Sequence, residues 1–259
     1  MIPSIKSALK SALGAVGLEI RRVNGGCPQV PGSTERPIGE TGKFLEDLRA
    51  RGFAPRGILD VGANRGDWTR LALSIFPKAA IIMIEPQDEM QPCLSQLSKS
   101  RADCHYVKAG AGREPGELIQ TIWDDLAGSS FLPQADNSQI QAGKQRKTPI
   151  TTLDKLLSEA YPGFFPDLVK LDIQGFELEA LAGAQRTFGQ TEVFIIETSL
   201  FRFMPRQPIT SEVVSFMSER GYEFYDITEY LRRPCDGALG QVDFAFVKAG
   251  GRFHANAQW

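Results

Sequence analysis

Apolar runs alternate along the chain with stretches of helical periodicity, and the first clear example begins at residue 58. Ile58 and Leu59 open a short apolar run, and the glycine-rich turn at 62–66 follows it. Beyond the turn, apolar residues recur at i, i+3, i+4 and i+7, the spacing of one helix face. They are Trp68, Leu71, Ala72 and Ile75, and Pro77 ends the pattern. A buried strand, a tight turn and a helix are therefore predicted.

The same alternation continues through most of the chain. Apolar runs predict further strands at 80–84, 104–109, 168–173, 192–196, 222–227 and 242–247. Helical spacing predicts helices near 41–52, 89–100, 152–160, 175–184 and 210–220, with Thr41 as the N-cap of the first and Asp154 in helix capping. Strands that alternate with helices predict an α/β fold with a mostly parallel, doubly wound sheet and helices on both faces.

Residues 113–150 interrupt this alternation of strands and helices. The segments 117–123 and 147–151 are predicted to be the two strands of an inserted hairpin. Between them, residues 127–147 are polar and poor in large apolar side chains, which predicts a mobile loop. A long loop inside a compact domain is either disordered or functional, and the functional version here is a substrate lid.

The N-terminal part of the chain is set apart by its pattern. Residues 2–23 have one apolar helical face, and residues 24–40 are rich in Gly and Pro, as a linker is. The amphipathic segment is predicted to pack on the domain, to pack on a dimer partner, or to lie on a membrane surface. We therefore divide the chain into an N-terminal helix and linker at 1–40 and a single domain at 41–259.

Composition and charge narrow the class of protein. The 259 residues carry a formal net charge of −2, so no basic field is available to bind nucleic acid. The 4 cysteines form no C-x-x-C pair, which favours a reduced chain over a disulfide-bonded one. No apolar run approaches the length of a membrane span. We expect a cytoplasmic protein, with peripheral contact to the inner face of the membrane as the alternative through residues 2–23.

The glycine turn at 62–66 indicates what kind of ligand lies beside it. A dinucleotide fingerprint reads G-x-G-x-x-G, whereas this turn has one glycine fewer and follows an acid, Asp60. An acid at this position is unfavourable for a phosphate group. It suits a cationic or zwitterionic ligand, such as the amino-acid end of S-adenosylmethionine.

Acidic side chains also end three later strands. The strand at 80–84 ends at Glu85-Pro86, where a carboxylate can accept hydrogen bonds from both hydroxyls of a ribose. The strand at 168–173 carries Asp172 at its carboxyl end, and the strand at 192–196 ends at Glu197. Ligands bind outside the carboxyl ends of such strands, so these acids should face one cleft. Lys170 shares a strand face with Asp172, which is unusual in a buried parallel sheet.

These segments resemble the FkbM family of S-adenosylmethionine-dependent methyltransferases. The resemblance spans roughly residues 55–250 and is carried by ILDVGANRGDW, MIEPQ at 83–87, SSF at 129–131, TTLD at 151–154, VKLDIQGFELEALAGA at 169–184 and IIET at 195–198. It implies a Rossmann-like class I fold with a seven-stranded sheet whose last strand is antiparallel. It also implies O-methylation of a hydroxyl on a sugar, a glycan or a polyketide-type small molecule. One departure is Gln174, where the family more often has Glu.

The candidate site residues follow from the motifs together with this resemblance. For the donor, we expect the turn to surround the methionine part, Asp60 to hold the ammonium group, Glu85-Pro86 to bind the ribose and the Gly110-Ala111 strand end to lie near the adenine. The turn residues are Gly62, Ala63, Asn64 and Gly66. Asp172 is the first candidate for the base that removes the acceptor proton, with Glu197 and Glu177 behind it. N-capping of the next helix and contact with the donor are the alternative roles of Asp172. We also expect the aromatic and basic loop at 198–205 to line the acceptor pocket.

Other classes stay open on the sequence alone. An NAD(P)-dependent oxidoreductase and a catalytically silent cofactor-binding module are the two alternatives. With 2 histidines and no clustered ligands, a zinc site is not expected, and His105 is read as a core or edge residue. A Mg²⁺ ion held by Asp172, Glu197 and a third carboxylate is the metal-dependent alternative.

Overall fold

The computed structural model describes residues 35–133 and 142–255. The helix predicted at 2–23 lies outside the described residues. The elements in chain order are α1 (Thr41–Ala50), β1 (Gly57–Val61), α2 (Asp67–Ile75), β2 (Ala80–Ile84), a 3-10 turn (Asp88–Met90), α3 (Gln91–Lys99), β3 (Cys104–Val107), β4 (Gly110–Ala111), β5 (Gly116–Thr121), β6 (Gln145–Thr151), α4 (Leu153–Lys155) continued by a π turn (Leu156–Ala160), β7 (Leu168–Leu171), α5 (Glu177–Ala182), β8 (Val193–Ser199), α6 (Thr210–Ser218), β9 (Tyr222–Arg232) and β10 (Leu239–Lys248).

The main sheet has seven strands in the order β3-β2-β1-β7-β8-β10-β9. Neighbouring strands from β3 to β8 pair in parallel, and β10 pairs antiparallel with both β8 and β9. This is the doubly wound 3-2-1-4-5-6 order with one antiparallel strand inserted near the end. The chain reverses its direction of winding between β1 and β7, and ligands of such folds bind at that switch point.

Alternating side chains of the central strands supply two separate cores. Ile58, Leu168 and Ile195 point to the face covered by α1, α2 and α3. Leu59, Val169 and Ile196 point to the opposite face, which α4, α5 and α6 cover. Both faces are buried, which explains why these strands read as continuous apolar runs rather than as alternating ones.

Three local expectations are corrected by the structure. Helix α1 begins at Thr41 and its N-cap is Glu40, because the Thr41 hydroxyl instead donates to the Thr228 carbonyl at 3.0 Å. In α2 the buried residues are Thr69, Ala72, Leu73 and Ile75, so Trp68 and Leu71 lie at the edge of the predicted face. Asp154 does not cap its own helix, for its carboxylate accepts the backbone N–H groups of Gln185 and Arg186.

The inserted hairpin is present as a second, three-stranded sheet. Strands β5 and β6 pair antiparallel, and β4 joins β6 in parallel. The first part of the predicted mobile loop packs against this sheet, since Thr121 and Ser130 form an antiparallel bridge. The Ser130 hydroxyl also donates to the Gln174 carbonyl at 2.8 Å. The small sheet is therefore fastened to the loop that follows β7.

Within residues 35–133 and 142–255, no helix is long and apolar enough to cross a membrane. Cys93, Cys104 and Cys235 are free thiols, and Cys27 lies outside the described residues.

Candidate functional site

A cavity of about 100 Å³ lies at the switch point, at the carboxyl ends of β1, β2 and β7. Seven of the predicted site residues line it: Gly62, Asn64, Glu85, Pro86, Gly110, Ala111 and Asp172. Three elements far apart in sequence thus meet where the fold class places a ligand. The volume is below the roughly 300–1,000 Å³ typical of ligand sites, so a nucleoside-sized ligand requires the lining side chains to move.

The glycine turn passes so close to the β7 loop that position 62 admits no side chain. Gly62 has φ +86°, and a Cβ there would lie 1.9 Å from the Asp172 carbonyl oxygen. Gly66 at φ +80° then ends the turn as the N-cap of α2, and Asn64 between them is also left-handed at φ +47°. The turn therefore brings its backbone against both the cavity and the end of β7, which only a glycine at 62 allows.

Glu85 is held at the mouth of this turn by backbone donors. Its two carboxylate oxygens accept the N–H groups of Asn64 at 2.9 Å and of Gln87 at 3.0 Å. Burial raises the pKa of the Glu85 carboxyl, and these two N–H donors oppose that rise. A carboxylate oxygen has more than one lone pair. Each oxygen can therefore still accept a hydrogen bond from a ligand hydroxyl.

Asp60 lies outside the cavity, contrary to the role expected for it. Its side chain is fully buried beneath the turn, and its Oδ2 accepts the Thr69 hydroxyl at 2.5 Å. Burial raises the pKa of the Asp60 carboxyl. Ala63 and Gly66, two further predicted contacts, also do not line the cavity. Strand β1 is buried on both sides, so its sequence did not reveal which way Asp60 points.

Asp172 is the centre of a hydrogen-bonded group beside the cavity that includes the buried Lys170. Lys170 Nζ donates to Asp172 Oδ2 at 2.7 Å, and Gln174 Nε2 donates to Asp172 Oδ1 at 3.1 Å. Burial would raise the pKa of Asp172, but Lys170 outweighs it and the pKa is lowered. The pKa of Lys170 is itself raised, because Asp172, Asp60 and Asp243 outweigh the effect of burial. Asp172 is thus an ionised carboxylate that faces the cavity.

The other two candidate bases do not line the cavity. Glu177 Oε1 accepts the backbone N–H groups of Ile173 at 3.0 Å and of Gly175 at 3.1 Å, so it organises the loop before α5. Glu197 lies behind Gln174, whose amide donates to Glu197 Oε2 at 2.9 Å. Burial and the neighbouring charge of Asp172 raise the pKa of Glu197 well above its usual value. Of the three acids, Asp172 alone is placed to meet a bound molecule.

Several lining residues were not anticipated. Gln87, Gln120, Ser129 and Phe131 contribute to the cavity wall. Gln87 Nε2 donates to the Leu126 carbonyl at 3.0 Å, which holds the segment 126–131 over the cavity. The MIEPQ segment at 83–87, which contains Gln87, and the SSF segment at 129–131 were the sequence signals for three of these residues.

The side chains that the structure describes at the site are not arranged to bind a metal ion. Among residues 35–133 and 142–255 no group of three or more His, Cys, Asp or Glu side chains is arranged to hold one. Asp172 and Glu197, the two proposed magnesium ligands, are instead bridged by the Gln174 amide, and Asp172 is paired with Lys170. His105 packs its ring 5.0 Å from that of Tyr161, away from the lining residues of the cavity.

Comparison with known proteins gives a family and two curated relatives. The family described as the methyltransferase FkbM domain matches residues 60–224. Methyltransferase sdnD of Sordaria araneosa is 22% identical over 193 residues, which cover 64% of this chain and 73% of that protein. Methyltransferase 1 of Beauveria bassiana is 25% identical over 146 residues, or 49% of this chain and 57% of that protein. The chain thus spans little more than half of the second relative.

Two solved structures are also similar at low identity. A methyltransferase FkbM from Methylobacillus flagellatus is 16% identical over 73% of this chain and 43% of that chain, with a TM-score of 0.45. A 1,6-didemethyltoxoflavin-N1-methyltransferase from Burkholderia thailandensis, with 1,6-didemethyltoxoflavin and S-adenosylhomocysteine bound, is 12% identical over 96% of this chain and 91% of that chain, with a TM-score of 0.43.

Proposed function

Because this chain belongs to the FkbM family of methyltransferases, we propose that it is an S-adenosylmethionine-dependent O-methyltransferase. Its acceptor is a hydroxyl group of a sugar, a glycan or another small molecule. The observation that carries the proposal is the cavity at the switch point, where the Gly62 turn, the Glu85 carboxylate and the Asp172 carboxylate converge.

The charges around the cavity favour this donor over a dinucleotide. Glu85 and Asp172 are the charged residues in its lining, and no Lys or Arg lines it among the described residues. A pyrophosphate would meet two carboxylates and no cation. A sulfonium carrying an ammonium group suits such a site, because opposite charges attract strongly where little water intervenes.

Different residues would contact the ribose, the methionine part and the adenine of the donor. Glu85 would accept hydrogen bonds from the two ribose hydroxyls, and the backbone of Gly62 and Asn64 would contact the methionine part. Gly110 and Ala111 would lie beside the adenine, where a side chain at 110 would collide with the Phe131 ring at 2.7 Å. When bound, this cofactor supplies an electrophilic methyl group on a positively charged sulfur.

Asp172 is the residue we assign to the acceptor proton. It is ionised at neutral pH because Lys170 lowers its pKa. General-base assistance of this kind contributes typically 10²–10⁴-fold to a rate, and alignment of donor with acceptor supplies the rest. Gln174 would fix the direction of the Asp172 carboxylate through its 3.1 Å hydrogen bond.

We further infer that residues 41–259 act as one methyltransferase domain in the cytoplasm and that it binds no nucleic acid. The support is the low net charge of −2 and the family match that begins after the linker. A stable core that starts near residue 41 in limited proteolysis is expected. If the protease cuts within residues 41–259 earlier in the digestion than it cuts the linker, this division is contradicted.

The proposal is tested by calorimetric titration with S-adenosylhomocysteine and, separately, NADH. Two variants report on the cavity: Glu85→Gln, which keeps its shape, and Gly62→Ala, which collides with Asp172. Gly116→Ala is the matched control, because a Cβ at 116 has no atom within 4 Å. We expect S-adenosylhomocysteine alone to bind, with at least about tenfold weaker binding in both variants and none of this loss in the control.

The alternative outcomes separate the rival functions. Binding of NADH in place of S-adenosylhomocysteine would establish the oxidoreductase class. If the folded wild-type protein binds neither compound, the catalytically silent module is the remaining function. Normal binding by Glu85→Gln would remove Glu85 from the ribose site.

A further inference from the structure

A second and larger cavity of about 740 Å³ lies directly beside the first. It is enclosed by the turn between β4 and β5, the start of α5 and the loop before α6. Its volume lies within the roughly 300–1,000 Å³ range of small-molecule sites. Nothing in the donor assignment uses this space.

Phe131 separates the two cavities and lines both of them. Its ring packs 5.5 Å from that of Phe176, which lines the second cavity only. On the other side of the partition, Gln174 lines the first cavity and the next residue, Gly175, lines the second. The two spaces are therefore one ring and one residue apart. The two cavities therefore share the Phe131 wall, and Asp172 lies on the first-cavity side of it.

The wall of the second cavity combines apolar surfaces with charged groups, of which two arginines are paired with glutamates. Phe176, Leu178 and Ile150 contribute apolar surface. Arg113 forms a two-pronged ion pair with Glu179 at 3.0 and 3.1 Å. Arg202 pairs with Glu212 at 2.8 Å. Such paired planar groups still present N–H donors and carboxylate lone pairs to a ligand, but with little net charge.

The total charge of the wall argues against an anionic ligand. Three arginines, at 113, 202 and 206, face four glutamates, at 114, 117, 179 and 212. An anionic group would meet a wall with a slight excess of negative charge. A neutral molecule with several hydroxyls and an apolar face would instead satisfy the paired polar groups and cover the aromatic rings.

We propose that this second cavity is the acceptor site and that the acceptor is a neutral, hydroxyl-bearing ring compound with an apolar face. The inference rests on the proposed methyltransferase function and adds the place and the charge class of the acceptor. It also locates the loop at 198–205: Arg202 lines the second cavity, whereas Phe201 and Phe203 do not.

A pair of fluorescent glycosides tests the charge class. The probes are 4-methylumbelliferyl β-D-glucoside, which is neutral, and 4-methylumbelliferyl β-D-glucuronide, which has the same ring and a carboxylate. Binding of each is measured by equilibrium dialysis, with and without saturating S-adenosylhomocysteine. We expect the glucoside to bind at millimolar concentration or below, and the glucuronide to bind at least about fivefold more weakly.

A blocking variant tests the location. Gly116 lines the second cavity and a Cβ there meets open space, so Gly116→Trp fills the cavity without straining the backbone. Lys147→Trp is the matched control, since Lys147 is an exposed residue on the neighbouring strand β6 and lines neither cavity. We expect at least about tenfold weaker glucoside binding in Gly116→Trp and wild-type binding in the control.

S-adenosylhomocysteine titrations keep the two proposals distinguishable. If Gly116→Trp binds that compound normally but loses the glucoside, the second cavity is the acceptor site. The inference is overturned if the glucoside does not bind, if it binds Gly116→Trp as it binds the wild type, or if the glucuronide binds more tightly. Failure of S-adenosylhomocysteine to bind the wild type would contradict the proposed function instead.

Discussion

Asp172, just after β7, and Glu177, the first residue of α5, are two carboxylates whose surroundings shift their pKa values in opposite directions. Burial raises the pKa of Glu177 to about 7, although the backbone N–H groups of Ile173 and Gly175 oppose it. The same effect of burial on Asp172 is outweighed by the ammonium group of Lys170. A full positive charge at hydrogen-bond distance thus compensates for lost hydration, whereas two neutral dipoles do not.

Glu177 should make the stability of the protein depend on pH. The carboxyl loses its proton near pH 4.5 when unfolded but only near pH 7 when folded. Between these values the folded protein binds the extra proton, so the free energy of unfolding falls as pH rises. Glu177→Gln removes this titration, and the fall should become shallower by at most about 1.4 kcal/mol per pH unit.

Urea unfolding at pH 5.0 and at pH 6.5 measures this difference. The slope of the free energy with urea should stay constant between the two proteins, which checks that the same transition is observed. Contributions from Asp243, whose pKa burial also raises to about 7, remain in both proteins and cancel. Equal changes in wild type and Glu177→Gln would show that Glu177 does not retain its proton.

The sequence predicts the position of single residues along the chain better than the direction of their side chains. Glu85 and Asp172 end strands, and the end of a parallel strand can only face the cleft. Asp60 lies inside a strand with both faces buried, where either direction satisfies the apolar pattern. The structure places its carboxylate on Thr69, a contact nine positions away that no periodicity signals.

At the scale of elements, one buried hydrogen bond joins α2 to β1. The Thr69 hydroxyl and the Asp60 carboxylate are both fully buried, and Asp60 Oδ1 has no hydrogen-bond partner among the described residues. Thr69→Val keeps the shape of the side chain but leaves the carboxylate without this donor. Because hydrogen bonds to charged groups contribute about 1.5–3 kcal/mol, we expect a loss of that order in stability.

Thr69→Ser is the control, because it keeps the hydroxyl and removes a methyl group. Chemical denaturation of the two variants separates the hydrogen bond from packing. If Val and Ser are equally stable at position 69, the Asp60 contact contributes nothing and α2 is held by its apolar face alone.

Helices and strands could be predicted where the local pattern of apolar and polar residues determines them. The structure confirms the predicted strands of the main sheet and of the inserted hairpin, but β9 continues to Arg232, and Glu197, predicted to follow a strand end, lies inside β8. The wall of the donor cavity formed by Gln87, Ser129 and Phe131 was not predicted. Ser129 and Phe131 reach the cavity because the segment after β5 folds back over the cleft, and a pairing between distant segments leaves no periodic signal.

At the scale of the whole molecule, the main sheet and the small inserted sheet both line the first cavity, and the inserted region also lines the second. The carboxyl ends of β1, β2 and β7 form one side of the first cavity, and Gly110, Gln120 and Phe131, from the small sheet and the loop after β5, form another. The second cavity lies where the turn after β4, the start of β5 and the segment around Phe131 form a wall beside α5. Acceptor choice in this chain should therefore depend on the insertion, and donor binding should depend on both the common fold and the insertion.

The position of Phe131 in both walls has a consequence for the order of events in turnover. Phe131 lines both the first cavity, which we assign to the donor, and the second, so we expect an occupied second cavity to restrict the movement of that ring. We expect the donor to enter first and its product to leave last. In stopped-flow displacement, saturating glucoside should slow the release of S-adenosylhomocysteine, and Phe131→Ala should abolish that retardation. Equal release rates with and without glucoside in the wild type would indicate random order.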